Sequence, residues 1–205
     1  MLLTVAILAL DVLKPLDPAG PSFDCAKASG IVPATICADV TLSGLDREMA
    51  ARYAAWLNIH PADADAAQQQ STFVARRDAC ASAAAPKACI TQAYQQRIVE
   101  LKIAAGQVPL TATATYVCAG HAATPVTASY YRSAPAAVLI DFQGSRVLAF
   151  AAPAASGARY TAAGVELWEH QGTAAIKWRG QELQCPRTQL DHGAGTAANA
   201  DGSHP

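Results

Sequence analysis

At Gly106-Gln107-Val108-Pro109 the apolar pattern of this 205-residue chain changes period. Before that point, apolar residues recur at steps of three and four, which lines one face of a helix. After it, short β-rich runs are cut by Gly, Pro and Ser. The chain is therefore predicted to be α+β with two domains, the first helical and the second an antiparallel sheet structure. In the first half, Leu45, Met49, Tyr53 and Leu57 recur every four residues with Trp56 beside them. Ser43 with Asp46 three residues on is the predicted N-terminal cap of that helix, and His60-Pro61 ends it. A second helix is expected from about 70 to 83, broken by Ala85-Pro86. A third carries Ile90, Tyr94, Ile98 and Leu101. Together they read as a small bundle or hairpin.

The second half contains "TATATYVCAG", "AAVLIDFQGSRVLAFAA", "GVELWEH" and "AAIKWRGQELQC". Gln143-Gly144-Ser145 and Arg179-Gly180-Gln181 carry hairpin-turn chemistry. Repeated short strands imply a compact barrel or sandwich. The boundaries read from the sequence are a signal-like lead-in at 1–20, a helical domain at 21–105, a β-domain at 112–188, and a Gly/Ala-rich disordered tail at 189–205.

Six cysteines sit at 25, 37, 80, 89, 118 and 185, with no C-x-x-C pair. An even count without zinc spacing suits a disulfide framework in an exported protein. Local pairing of Cys25 with Cys37 and of Cys80 with Cys89 is preferred, and crossed pairings stay open. A bridge between Cys118, placed in the first strand, and Cys185, in the last, would close a loop of nearly the whole β-domain.

The opening "MLLTVAILAL" has the length of a signal-peptide core and is too short to span a bilayer. It reads as a shortened or atypical export signal, with a buried apolar segment as the alternative. Cys25 follows Phe23-Asp24 rather than a small-residue lipobox, so the expected location is periplasmic or otherwise exported, without support for a lipid anchor. Net charge is −1 and the basic residues are scattered, which argues against a nucleic-acid footprint. Between 20 and 106 there are eight basic and eight acidic residues. Arg47, Glu48, Arg52, Arg76, Arg77 and Asp78 are expected to be solvated helix faces.

"SGARYTAAGVELWEHQG", residues 156–172, holds the polar residues of most interest. Ser156 and His170, with Asp141, supply the residue types of a catalytic triad. No G-x-S-x-G elbow or oxyanion element accompanies them, so the chain is read as a non-enzyme. His121, His170, His192 and His204 show no metal-ligand spacing, and no cofactor is implied. Period two puts Glu166, Trp168 and His170 on one strand face and Val165, Leu167 and Glu169 on the other. Trp168 is either barrel core or contact surface, and the core is preferred. Arg159 and Tyr160 either touch a partner or, respectively, pair with a surface acid and cap the barrel.

Two resemblances cover most of residues 22–187. "YVC" at 116–118, "ASGARY" at 155–160, "LWEHQGTAAI" at 167–176 and the closing Cys185 resemble the MliC family of C-type lysozyme inhibitors. "PSFDCAKA" at 21–28, "IC" at 36–37, "LDREMAARY" at 45–53, "RRDAC" at 76–80 and "CITQAYQQRIVEL" at 89–101 resemble the helical, cysteine-paired domain of LprI-type inhibitors. The first resemblance implies an eight-stranded antiparallel barrel with a first-to-last-strand disulfide. The second implies disulfide stapling of the helical domain.

The MliC resemblance also implies a blocking role. A loop Ser and a Lys of that family enter the lysozyme cleft and bind the carboxylate pair that cleaves glycosides. Ser156 matches the Ser, and His170 stands at the Lys position. A neighbouring carboxylate favours the protonated imidazole, so His170 would substitute with added pH sensitivity. The implied contact set is Ser156, Gly157, Arg159, Tyr160 and His170, and the implied partner is C-type lysozyme, with no small-molecule substrate. Residues 113–188 carry six basic and four acidic side chains, so local contacts rather than bulk charge must hold such a partner. The competing expectation is a non-inhibitory envelope module that binds peptidoglycan or another envelope protein.

Overall fold

The computed structural model describes residues 20–61 and 65–192. The signal-like lead-in up to residue 19 and the tail from 193 lie outside the described residues. A 3₁₀ turn at Cys25–Lys27 leads into α1 (Ile31–Ala38), α2 (Val40–Ile59), α3 (Ala66–Asp78) and α4 (Pro86–Ala104). A second 3₁₀ turn, Ala79–Ser82, extends α3. α3 thus starts four residues earlier than the helix expected from about 70, because the polar "AAQQQ" run supplies its first turns. Pro86 occupies the first turn of α4, where its missing N–H costs nothing.

The cap of α2 is Asp39, not Ser43 with Asp46. The Asp39 carboxylate accepts from the N–H groups of Thr41 and Leu42 at 3.0 Å each. The Lys87 ammonium, with the Leu42 N–H, holds that carboxyl below its usual range. Ser43 lies inside the helix and donates to the Ile36 carbonyl at 2.8 Å, tying α1 to α2. Asp46 is buried and accepts from the Tyr94 hydroxyl of α4 at 2.7 Å and from the Ser22 N–H and hydroxyl at 2.6 Å each. A buried carboxylate is tolerated only when its lone pairs are filled this way. The buried stripe of α2 is accordingly Leu42, Asp46 and Met49, rotated from the apolar stripe of the sequence.

Arg77 is a correction of the same kind. Its side chain is 11% exposed, lies over the Phe73 and Tyr94 rings at 5.8 and 5.9 Å, and donates to the Tyr94 hydroxyl at 3.2 Å. It is a core-edge cation, not a solvated one. Burial pushes the Tyr94 hydroxyl far above the ordinary tyrosine range. Arg97, unremarked in the sequence, is buried and holds Gln70 of α3 at 3.2 Å and Glu100 at 3.1 Å.

The second half is a closed antiparallel barrel in up-and-down order: β1 (Leu110–Tyr116), β2 (Val126–Tyr131), β3 (Ala137–Phe142), β4 (Ser145–Ala152), β5 (Ala158–Ala162), β6 (Val165–His170), β7 (Thr173–Trp178) and β8 (Gln181–His192). Tyr116, Val138, Ile140, Phe142, Leu167, Ile176 and Trp178 fill its interior. Closure matters because it leaves no edge strand unpaired. Three hairpins turn on a residue pair with both φ values positive: Gln143-Gly144, Gln171-Gly172 and Arg179-Gly180. That twist matches the strands it joins, and Gly fits the second position without strain.

β8 continues to His192, pairing Ala112 with His192 and Ala114 with Leu190. Residues 189–192, expected in the tail, therefore complete the barrel seam. Cys118 sits just past the end of β1 rather than within it. Its bridge to Cys185 of β8 joins the first and last strands, and Cys25–Cys37 and Cys80–Cys89 staple the helical domain. The two domains meet where Val99 and Ile103 of α4 cover Ala137, Leu148 and Phe150 on the outer face of β3 and β4. α4 is thus buried on two sides, once by the helices and once by the barrel.

Candidate functional site

In an up-and-down barrel, alternate connections fall at one end. The β4–β5 loop, residues 153–157, therefore shares its end with the β6–β7 turn at Gln171-Gly172. Ser156 sits at the close of that loop and His170 at the end of β6.

Gly157 brings them together. Its φ is +69°, and a Cβ there would stand 2.2 Å from the Glu169 carbonyl oxygen and 3.2 Å from the His170 Cβ. Only a residue without a side chain lets the loop lie this close to β6. The pairing of Ala158 with Glu169 continues the contact into the sheet. Ser156 is exposed and His170 half-buried. Among the described residues, neither the Ser156 hydroxyl nor the His170 ring forms a hydrogen bond, so both tips are available to a partner.

Trp168 corrects the core assignment. It is 40% exposed and lies on the outer face of β6, while Val165 and Leu167 are buried. Its indole N–H donates to the Ser156 carbonyl at 2.8 Å. Alternation separates Trp168 from Val165 and Leu167, and the closed barrel buries the face of Val165 and Leu167, which turns residue 168 outward.

Arg159 and Tyr160 have internal partners. The Arg159 guanidinium holds Glu166 Oε2 at 2.6 and 3.1 Å and reaches the Pro153 carbonyl at 3.4 Å, across the base of the loop. Tyr160 packs against the barrel core edge-on to Tyr130, with ring centroids 5.6 Å apart. Burial raises its hydroxyl above the ordinary tyrosine range.

Two further residues were not visible as site residues in the sequence. Glu169 Oε1 accepts from the Gly172 N–H at 2.9 Å and from Arg187 of β8 at 3.3 Å. This clip fixes the turn next to His170. It also answers the Glu169 charge, as Arg159 answers Glu166. The carboxylates beside Ser156 and His170 are thus neutralised internally, so an incoming acidic group does not meet an unpaired negative charge. The third triad-type residue takes no part in this cluster: Asp141 on β3 accepts from Arg146 at 2.8 Å. Among the described residues, no group of three or more His, Cys, Asp or Glu side chains is placed to hold a metal ion.

Residues 116–184 match the family described as membrane-bound lysozyme-inhibitor of c-type lysozyme, a span that includes Ser156, Trp168 and His170. The lipoprotein LprI of Mycobacterium tuberculosis and that of Mycobacterium bovis are each 37% identical to this chain over 171 residues, 82% of this chain and 84% of theirs. That the relatives are lipoproteins by name runs against the expectation of no lipid anchor. Cys25, on which that expectation rested, is bonded to Cys37.

Proposed function

Because the chain belongs to the LprI family, with an MliC-type barrel as its second half, we propose that it is an exported cell-envelope protein that inhibits C-type lysozyme by occupying the catalytic cleft. The Ser156 hydroxyl donates to one catalytic carboxylate. The protonated His170 imidazole donates to the other, in place of the family Lys. The pair that cleaves a glycoside in a retaining enzyme is only about 5 Å apart, so two adjacent donors suit it. Gly157 and Trp168 hold the Ser156 segment against β6, and Arg159 and Tyr160 support its base.

The observation that carries this reading is the contact of Gly157 with the Glu169 carbonyl, which lays the Ser156 segment against the end of β6 that carries His170. The barrel then acts as a rigid mount. Preorganised donors lose little freedom on binding, which favours affinity.

The direct test is a titration of the oxidised protein into C-type lysozyme, following cell-wall lysis. The parent is expected to inhibit saturably. Ser156→Ala/His170→Ala is expected to weaken inhibition by about 100-fold, because interface energy concentrates in a few central residues. A well-folded parent that leaves lysis untouched, or a double variant as potent as the parent, would favour an envelope module that binds glycan or another envelope protein.

A pH dependence follows from His170. An imidazole carries charge only when protonated. Binding to carboxylates favours the protonated form, so inhibition is strongest on the acid side and weakens as pH rises through the titration in the complex. His170→Lys keeps its charge across this range and should flatten the profile. Inhibition constants between pH 5 and 8, corrected for the titration of lysozyme itself, provide the check; matching profiles for parent and variant would remove the charge role.

A further inference from the structure

We infer that Trp168 is the positioning residue of the Ser156 probe, its indole N–H fixing the loop that presents the hydroxyl beside His170. The inference rests on the proposed reading of Ser156.

Among the exposed large apolar side chains of the described residues, Trp168 is the one aromatic. Burial does not account for it, since its cross-strand neighbours on the outer face are Arg159 and the small Ala175. What distinguishes tryptophan from other large apolar residues there is a single donor at the far edge of a rigid ring. That donor is spent on Ser156, twelve positions back in the sequence, at 2.8 Å.

The β4–β5 loop has three ties. Its first residue, Pro153, accepts from Arg159 at 3.4 Å. Its last, Gly157, is pressed on the Glu169 carbonyl. Between them, Ala154 and Ala155 have no side chain able to hold the loop. The Trp168 N–H grips the peptide that joins Ser156 to Gly157, and the orientation of that peptide sets the backbone at Ser156. Removing the grip frees the loop to sample other directions, and lysozyme must then order it again on binding. Trp168 acts through Ser156 in this account, so the effects of changing the two are coupled.

Trp168→Phe keeps an aromatic ring and deletes the N–H. The test compares the full chain with Trp168→Phe, Ser156→Ala and both together. It measures inhibition of C-type lysozyme, thermal unfolding, and backbone order of residues 154–157 in the free protein by nuclear magnetic relaxation. Trp168→Phe is expected to leave the unfolding temperature in place, loosen residues 154–157, and weaken inhibition about fivefold, the scale of one ordinary hydrogen bond. In the Ser156→Ala background the same change is expected to add almost nothing, the signature of a residue acting through its neighbour. Fully additive losses would make Trp168 an independent contact and overturn the inference. So would a loop as ordered in Trp168→Phe as in the parent. If the parent fails to inhibit lysozyme while Trp168→Phe still loosens the loop, the lysozyme reading falls and the clamp stands.

Discussion

Gly157→Ala is expected to abolish inhibition, by 100-fold or more on the scale of a lost interface centre, while leaving the barrel folded. A methyl group at this position would stand 2.2 Å from the Glu169 carbonyl oxygen, a backbone atom that cannot swing aside. The φ of +69° adds a penalty of about 1 kcal/mol for any residue with a side chain. The loop must therefore lift from β6, and Ser156 departs with it. Gly144→Ala supplies the control. Its φ is +71°, but a Cβ there meets nothing within 4 Å. It pays the backbone penalty alone and should inhibit as the parent does. Inhibition titrations and thermal unfolding of both variants make the comparison. A Gly157→Ala protein within threefold of the parent would show that the contact with β6 does not set the site.

The second large effect concerns the barrel seam. Cys118→Ala/Cys185→Ala is expected to lower stability by about 4 kcal/mol, because the 67-residue separation is the largest of the three bridges and the chain-entropy cost of an open loop grows with its length. The separations of 12 and 9 residues in the helical domain correspond to about 3 kcal/mol each in the same relation. Both half-cystines of the seam are buried, so alanine avoids leaving an unpaired hydroxyl inside. Urea unfolding of the three paired-cysteine variants gives the ordering directly. Were the seam variant the least affected, the β1–β8 ladder rather than the bridge would be what closes the barrel.

Much of the fold was legible because its determinants are local. Turn chemistry at Gln143-Gly144 and Arg179-Gly180 depends on two residues and their φ values. The division of β6 into two faces, Val165 and Leu167 on one and Trp168 on the other, follows from period two, although not which of them turns inward. The short-range pairings Cys25–Cys37 and Cys80–Cys89 follow the economy of small loops. The candidate site was legible in part: Ser156 and His170 were marked by resemblance, and the structure brings their segments into contact.

What could not be read concerns polar and aromatic groups whose meaning depends on neighbours distant in sequence. Ser43 and Asp46 have capping chemistry, yet Asp39 takes the cap, Ser43 donates to α1, and Asp46 becomes the buried acceptor of Tyr94 and Ser22. Arg77 reads as a surface charge until Phe73 and Tyr94 are found beneath it. Trp168 reads as core until the strand is set in the barrel. Glu169 gains its role only when the closed sheet places β8 and Arg187 within reach.

The sequence by itself determined the two-part α+β architecture, the turns at Gln143-Gly144 and Arg179-Gly180 and the residue types at the site, because periodicity, turn preference and cysteine spacing act over a few residues. Only the tertiary structure decided which polar groups are spent internally and which are left for a partner. The reason is physical: a hydrogen bond or ion pair is a property of two groups, and the second group here is supplied by a strand or helix that the first cannot specify.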